Sequence, residues 1–328
     1  MEILKKLSKP KKSIVFDTYW KFAAKRQDIF FNKINNITPL TSDPILERHR
    51  FTNVYRASDR VSQYLIRDVI YKQDLKFTNP DLLLRILLFK IFNKISTWQY
   101  LESQVKSITV DNFDSKLYSK LLTEAKKANE AIYSGAYIMT SGKSVFGHNF
   151  KHENHLELLK QYVQNGKLLN DIENAKTMED VYNTLLTVPT FGSFLAYQYT
   201  IDINYSTLIN FSEMDFVKAG PGAKDGIKKC FVDRGDYSDE DIIKYMCDIQ
   251  DEQFHLLELD FKNLWGRKLQ LIDCQNLFCE VDKYSRVAHP EILGISNRTR
   301  IKQIYKPVKN KIDYFFPPKW DLNQNMEY

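Results

Sequence analysis

The sequence predicts a mostly α-helical fold with a few short strands. Residues 59–71 place four apolar side chains on one helical face, namely Val61, Tyr64, Leu65 and Val69. Strand-like runs are confined to three short segments, at residues 134–139, 268–272 and 313–316. The chain has only 11 Gly and 10 Pro among 328 residues, a composition that argues against long disordered linkers.

Further helices are expected where this periodicity is combined with start signals. Asn79-Pro80-Asp81 is typical of a first helical turn, and Thr177 with Asp180 resembles a capping box. The predicted helices cover residues 59–71, 79–101, 115–133, 153–164, 177–188, 191–201, 238–254 and 274–286. We expect one helical domain at residues 41–290, a basic N-terminal extension at 1–40 and a basic C-terminal arm at 291–328.

Positive charge is clustered along the chain. The net charge is +6, and residues 298–311 contain six Lys or Arg and no acid. A second cluster comprises Lys218, Lys224, Lys228 and Lys229. Clusters of this kind are typical of a surface that binds a polyanion, although a solvated face without a function has the same composition.

The composition indicates a cytoplasmic protein. No run approaches the about 18 apolar residues of a membrane span, and the lysine-rich N-terminus lacks the apolar segment of a signal peptide. The spacing of the cysteines fits neither a zinc ribbon, nor a disulfide scaffold, nor an iron–sulfur loop. We therefore expect reduced thiols at Cys230, Cys247, Cys274 and Cys279.

The strongest local signal is a glycine-rich turn within residues 217–227. Gly220 and Gly222 flank Pro221, and a helical pattern follows. This arrangement is typical of the hairpin in a helix-hairpin-helix element, where unpaired N–H groups at the start of the second helix face a DNA phosphate. The alternative is an ordinary loop between two helices.

Two other motifs are interpreted as structural. Ser141-Gly142-Lys143-Ser144 resembles the end of a P-loop, but Tyr137 occupies the position of the required first glycine. His148, His152 and His155 are close in sequence, yet no fourth ligand is evident, and a polar helix cap is favoured over a metal site. We accordingly expect neither a metal nor a cofactor.

A carboxylate marks the start of the predicted helix at residues 274–286. Asp273 follows the apolar run Leu271-Ile272, and as an N-cap it needs no further function. The same helix carries Glu280, Asp282, Lys283 and Arg286, a dense set of charges. A capped helix with a solvated outer face is one interpretation, and a catalytic carboxylate is the other.

Several motifs, in order along the chain, resemble one family. The resemblance is carried by residues 43–46 (DPIL), 50–56 (RFTNVYR), 59–61 (DRV), 194–198 (FLAYQ), 202–205 (DINY), 220–222 (GPG) and 279–286 (CEVDKYSR). The family is the alpha-glutamyl/putrescinyl thymine pyrophosphorylase group, also described as the helical domain of 5-hydroxymethyl-deoxyuridine DNA kinases. Kinases of this family pair the helical domain with a nucleotide-binding domain, and the missing P-loop argues against kinase activity of this chain alone.

The resemblance implies a relationship to helix-hairpin-helix DNA glycosylases, a DNA substrate with modified pyrimidines, and a setting in the cytoplasm of a bacterial or phage-infected cell. We therefore expect a glycosylase-like helical fold and an enzyme that flips a 5-modified pyrimidine out of DNA and excises it, with anti-phage defence as one setting. One alternative is a transferase that acts on the 5-substituent of a hydroxymethylated pyrimidine in DNA. The other is a non-catalytic module that binds modified DNA.

Each interpretation assigns roles to particular residues. For excision, Asp273 is the expected catalytic carboxylate, Asp202 is its rival, and Lys224 matches the lysine of bifunctional glycosylases. The candidate base pocket comprises Arg50, Phe51, Asn53, Tyr55, Arg56, Gln198, Tyr205, Glu280, Lys283 and Arg286. The candidate DNA contacts are Lys218, Gly220, Gly222, Lys228, Lys229, Arg298 and Arg300. For a transferase, Lys283 and Arg286 would bind a phosphate or pyrophosphate.

Overall fold

The computed structural model describes residues 8–72, 75–307 and 312–326, and the regular structure is almost entirely helical. In chain order the helices are α1 (Ile14–Ile34), α2 (Pro44–Arg48), α3 (Arg60–Tyr64), α4 (Asn79–Phe92), α5 (Ile95–Gln104), α6 (Ser115–Lys127), α7 (Lys143–Phe146), α8 (Lys151–Tyr162), α9 (Lys167–Glu173), α10 (Met178–Leu186), α11 (Ser193–Asn204), α12 (Pro221–Cys230), α13 (Asp239–Asp248), α14 (Gln250–Leu256) and α15 (Leu271–Ala288). Two short strands, β1 (Lys11–Lys12) and β2 (Phe231–Asp233), pair antiparallel. The predicted mostly α fold is confirmed.

The chain forms two compact units. Unit 1 is built from the described parts of Met1–Asp59, Val217–Asp313 and Pro318–Tyr328, and unit 2 from those of Arg60–Phe216 and Tyr314–Pro317. Residues 14–34, which the sequence placed in an extension, form α1, and one face of this helix is fully buried in unit 1. Among the described residues, no helix is both long and apolar enough to cross a membrane.

Helix α15 is the central element of unit 1, because α1, α12 and α13 all pack against it. Tyr19 of α1 lies with its ring centroid 4.8 Å from that of Phe278 and donates a hydrogen bond to the Cys274 carbonyl (3.2 Å). Gly226 of α12 brings the two helices close together, since a Cβ there would lie 2.1 Å from the Phe278 carbonyl oxygen. The absence of a side chain at Gly226 therefore sets the separation of α12 and α15.

Helix α4 is the most apolar helix of unit 2, and it packs against α8 and α11. It contains a buried cation, Lys90, whose Nζ lies 3.2 Å from Oδ2 of Asp202 on α11. Tyr199, also on α11, donates a hydrogen bond to the Lys90 carbonyl (3.0 Å). Because a buried charge is tolerated only when it is paired, these contacts fix α4 against α11.

The helix predictions differ from the structure mainly where one predicted helix is divided into two helices. The stretch 79–101 is interrupted at Asn93, which adopts a left-handed conformation (φ 48°), and 238–254 is interrupted at Ile249. The capping box of Thr177 and Asp180 is confirmed at the start of α10. The helix predicted at 115–133 ends at Lys127.

The three predicted strands are wrong. Residues 271–272 belong to the first turn of α15, and Tyr137 has a positive φ (56°) that interrupts an extended run at 134–139. In the segment 313–316, the Phe315 N–H donates to the side chain of Gln63 (2.8 Å) instead of to a neighbouring strand.

Candidate functional site

Asp273 fastens the loop of residues 50–59 to the start of α15. One carboxylate oxygen accepts the Arg56 N–H (2.9 Å), and the other accepts the Gln270 N–H (3.0 Å). Gln270 is the N-cap, so Asp273 is the third residue of the helix and not its cap, which corrects the predicted boundary. With both oxygens bonded to backbone and the side chain buried, this geometry is that of a structural fastener.

A second connection between the same elements is charged and half-buried. Oε2 of Glu280 accepts the N–H of Thr52 (3.0 Å) and lies 2.7 Å from Nζ of Lys283, one turn further along α15. The Lys283 ammonium also lies 4.6 Å from the ring centroid of Phe51. Helix α15 therefore presents an acid and a base side by side against the loop in unit 1.

The loop also contains a partly exposed carboxyl group, that of Asp59, whose pKa is raised. Oδ1 of Asp59 accepts the N–H of Asn53 (2.8 Å), and Arg26 of α1 donates to the Asn53 side-chain oxygen (2.5 Å). Burial raises the pKa of Asp59 to about 6, although the Asn53 hydrogen bond and the Arg26 charge oppose this change. A carboxyl group with such a pKa is suited to accept and release a proton near pH 7.

Several candidate base-pocket residues support the loop from inside. Phe51, Tyr55 and Arg56 are buried, and the Tyr55 hydroxyl donates to the Arg267 carbonyl (2.7 Å). Arg50 is exposed, and Asn53 is partly exposed. Of this stretch, Arg50 and Asn53 are therefore the predicted contacts with the freest access to a ligand, and a role in binding a base stays a prediction for all five.

The glycine-rich turn begins a helix, as predicted, but no helix ends directly before it. Gly220 is the N-cap of α12 and Pro221 its first residue, whereas residues 205–220, all described, contain no helix. The first helix of a helix-hairpin-helix element is therefore missing. Gly222 faces α15, because a Cβ there would lie 3.0 Å from the Cys279 sulfur. Lys224 is exposed.

The remaining predicted DNA contacts have different environments. Lys228, Arg298 and Arg300 are exposed, and Lys218 is half-buried. The Lys229 ammonium is buried, with Nζ 3.1 Å from an Asp282 carboxylate oxygen. Lys229 is therefore not exposed to a DNA molecule, and the predicted DNA contact depends on the other residues. Of the basic segment 298–311, Lys309 and Lys311 lie outside the described residues.

The candidate residues of unit 2 lie in its core. Gln198 and Tyr205 have no exposed surface, and the Tyr205 carbonyl accepts a hydrogen bond from the Tyr71 hydroxyl (2.9 Å). Asp202 pairs with Lys90 as described above. The motifs at 194–198 and 202–205 therefore build α11 and its packing, and Asp202 belongs to a different unit from Asp273.

The histidine cluster and the P-loop-like turn are structural elements of unit 2. His155 lies between the Tyr133 hydroxyl (3.0 Å) and the Thr140 carbonyl (2.8 Å), and burial lowers the pKa of His155 to about 4. Nε2 of His152 lies 2.9 Å from the Thr123 hydroxyl. Within the described part of the chain, no group of three or more His, Cys, Asp or Glu is arranged to hold a metal ion.

Comparison with known proteins identifies the family of this chain. Residues 13–294 match the family described as "5-hmdU DNA kinase, helical domain". The chain belongs to this family. It is also 26% identical over 288 residues to the 5-hmdU DNA kinase of Bacillus phage SP10, an alignment that covers 82% of this chain and 45% of that kinase. The chain thus spans about half the length of this relative. No solved structure matches it.

The predicted base excision is wrong. Both comparisons point to DNA kinases, which are transferases and not hydrolases, and neither shows a relationship to DNA glycosylases. The excision roles of Asp273, Asp202 and Lys224 are withdrawn with it. The comparisons agree with the alternative, a transferase that acts on a hydroxymethylated pyrimidine in DNA.

The sequence analysis gave no role to four residues that organise unit 1. Asp59 stood in the opening motif without a role, and Arg26 fell in the predicted N-terminal extension. Asp225 follows Lys224 in the chain, and Asp282 precedes Lys283. Both carboxylates are buried against basic side chains. An acid on the apolar face of an amphipathic helix is the signal that indicates such a buried partner.

Proposed function

We propose that the chain takes part in phosphoryl transfer to 5-hydroxymethyluracil in DNA, and that unit 1 binds the DNA and presents the modified base. The family match over residues 13–294 carries this proposal. The structure supports it, because the motif at 50–56 and the motif at 279–286 meet in unit 1 through the Thr52–Glu280 hydrogen bond. Two segments more than 200 residues apart in sequence thereby form one surface.

The proposed reaction defines what this surface has to do. The oxygen of the 5-hydroxymethyl group attacks the terminal phosphorus of a nucleoside triphosphate, the bond from that phosphorus to the diphosphate breaks, and the hydroxyl proton passes to a base. Asp59, with its pKa raised to about 6, suits the role of proton acceptor. Lys283, whose ammonium lies over the ring of Phe51, and the exposed Arg50, which precedes Phe51 in the chain, supply positive charge for the phosphoryl group.

The triphosphate side of the reaction is not assigned to this chain. The turn at Ser141–Ser144 lacks the first glycine of a P-loop, and its Gly142 serves as the N-cap of the short helix α7. We therefore keep the prediction that the purified chain alone does not transfer phosphate from ATP. The proposal concerns recognition and presentation of the base.

Binding to matched duplexes tests the proposal. Fluorescence anisotropy with one duplex containing thymine and one containing 5-hydroxymethyluracil at the same position should show tighter binding to the second. Glu280→Gln and Lys283→Met should reduce that preference, while Lys244→Ala, an exposed lysine of α13, should keep it. Equal affinity for both duplexes in the wild-type protein would contradict the proposal, as would release of free base detected by mass spectrometry.

A further inference from the structure

Asp225 is a buried acid on the helix that carries the exposed lysines of unit 1. Its Oδ1 accepts the Ser296 N–H (2.7 Å), and its Oδ2 accepts the Ser296 hydroxyl (2.5 Å) and a guanidinium N–H of Arg298 (2.7 Å). The Asp225 side chain is only 2% exposed. One carboxylate on α12 therefore holds the segment of residues 294–298 through three hydrogen bonds.

This segment is shaped to receive the carboxylate. A Cβ on Gly294 would lie 2.7 Å from Oδ1 of Asp225, so only a glycine permits the observed approach. Burial alone would raise the Asp225 pKa, but the hydrogen bonds from Ser296 and Arg298, with the Arg298 charge, lower it below the usual value. Asp225 is consequently ionised at neutral pH, and its bond to Arg298 is a charge-assisted one.

A second buried carboxylate completes an ion cluster, which consists of Asp225, Asp282, Lys229, Arg286 and Arg298. Asp282 lies 3.1 Å from Nζ of Lys229, 2.5 Å from Arg286 and 3.8 Å from Arg298. Arg286 also donates to the Arg300 carbonyl (3.0 Å), which fixes the backbone beyond Arg298. Three cations and two carboxylates leave the ion cluster with one excess positive charge.

The excess charge is at the surface. The side chain of Arg298 is 49% exposed, whereas those of the other four members are at most 10% exposed. Nε of Arg286 is buried without a hydrogen-bond partner among the described residues. A half-exposed guanidinium that two carboxylates hold in place has lost most of its side-chain freedom, and it therefore loses little entropy when it binds an anion.

We propose that Asp225 and Asp282 position Arg298 as a contact to the DNA phosphate backbone, so that Asp225, although negatively charged, strengthens DNA binding. The inference rests on the proposed function, which requires DNA binding by unit 1. Lys224 and Lys228 are exposed and one helical turn apart on α12, the helix that carries Asp225. Arg298 thereby extends the basic surface of α12 by a residue from the C-terminal segment.

The proposal predicts an effect of opposite sign to that of simple electrostatics. Removal of a negative charge near DNA should raise the affinity, since it increases the net positive charge of the binding surface. If Asp225 positions Arg298, the isosteric substitution Asp225→Asn should lower the affinity. The matched control is Asp248→Asn, which makes the same charge change at an exposed acid of α13.

The experiment measures the dissociation constant of the full chain for a fluorescent duplex over a series of salt concentrations. We expect Arg298→Ala to weaken binding roughly tenfold and to lower the salt slope by about one unit, as for the loss of one phosphate contact. Asp225→Asn should weaken binding several-fold, and it should add no further loss in the Arg298→Ala background. Asp248→Asn should bind as well as the wild type or slightly better.

The measured affinities decide whether Asp225 acts on DNA binding through Arg298. If Asp225→Asn binds as tightly as Asp248→Asn, or if the double variant is weaker than Arg298→Ala, Asp225 does not act through Arg298. If Asp225→Asn does not fold, Ser296→Ala replaces it, because it removes one hydrogen bond to Asp225 without a charge change and should weaken binding in the same way. A wild-type protein that does not bind DNA would refute the proposed function itself, which separates the two failures.

Discussion

The contact between α12 and α15 predicts a strong stability effect at a single glycine. In Gly226→Ala the new Cβ would lie 2.1 Å from the Phe278 carbonyl oxygen and 2.6 Å from its carbon, both far inside van der Waals contact. The obstacle is backbone, so the helices must separate or shift. Such overpacking costs roughly 3 kcal/mol, whereas the better helix propensity of Ala returns at most about 1 kcal/mol, which leaves a net loss of about 2 kcal/mol.

Urea unfolding followed by circular dichroism measures this effect through the shift of the midpoint. Gly222→Ala should be milder, because its Cβ would lie 3.0 Å from the Cys279 sulfur, a side-chain atom that can rotate away. Gly135→Ala is the control, since no atom lies within 4 Å of the position of its Cβ. If Gly226→Ala were as stable as the wild type or more stable, helix propensity alone would govern the site, and the packing explanation would be wrong.

Three further predictions concern single side chains, those of His155, Asp273 and Lys224. Burial lowers the pKa of His155 to about 4, so the unfolded chain binds its proton more readily, and stability should fall by about 3 kcal/mol as the pH drops from about 6.5 to 4. Unfolding midpoints at several pH values should show this loss in the wild type and in His148→Gln, an exposed control, but not in His155→Gln. Asp273→Asn should lower stability by about 1–2 kcal/mol, because an NH₂ group then faces the N–H of Arg56 or Gln270; an unchanged midpoint would exclude the structural role. Lys224→Ala should lower the salt slope of DNA binding by about one unit, and an unchanged slope would remove it from the phosphate contacts.

The helical class was predictable from periodicity, because long amphipathic stretches have few alternatives. The break at Asn93 was not, since an Asn in the left-handed conformation has no signature that separates it from an Asn within a helix. The start of α15 was misjudged for a related reason. Leu271-Ile272 has the composition of a strand, and only the paired hydrogen bonds of Gln270 and Asp273 show that it is the first helical turn.

The site was predictable in its parts but not in its assembly. The sequence motifs drew attention to Arg50, Glu280 and Lys283, but nothing in them shows that Thr52 bonds to Glu280 across more than 200 residues. The contact from Asp225 to Ser296 spans 71 residues and depends on a glycine outside every motif. Pairings of this kind are set by tertiary packing, which local propensity does not encode.

The glycine-rich turn shows how one pattern supports two physical explanations. A helix N-terminus that begins with two glycines suits a phosphate, and this interpretation agreed with the excision hypothesis that the family resemblance implied. The structure gives Gly222 and Gly226 a different use, which is close packing of α12 on α15. The turn can still face DNA, because the exposed Lys224 lies on the side of α12 away from that contact.

Helix α15 connects the two surfaces of unit 1 that the proposals assign to DNA and to the modified base. Glu280 and Lys283 point toward the loop at 50–59, whereas Cys279 and Asp282 point toward α12 and the ion cluster. A phosphate contact at Arg298 and a base held by the loop would therefore be fixed to two neighbouring faces of one helix. Because helical side chains three and four positions apart keep a constant spacing, this arrangement sets the distance between the backbone contact and the reacting base. Under the two proposals together, that fixed distance would give unit 1 a physical means to select a nucleotide displaced from the DNA duplex over one stacked within it.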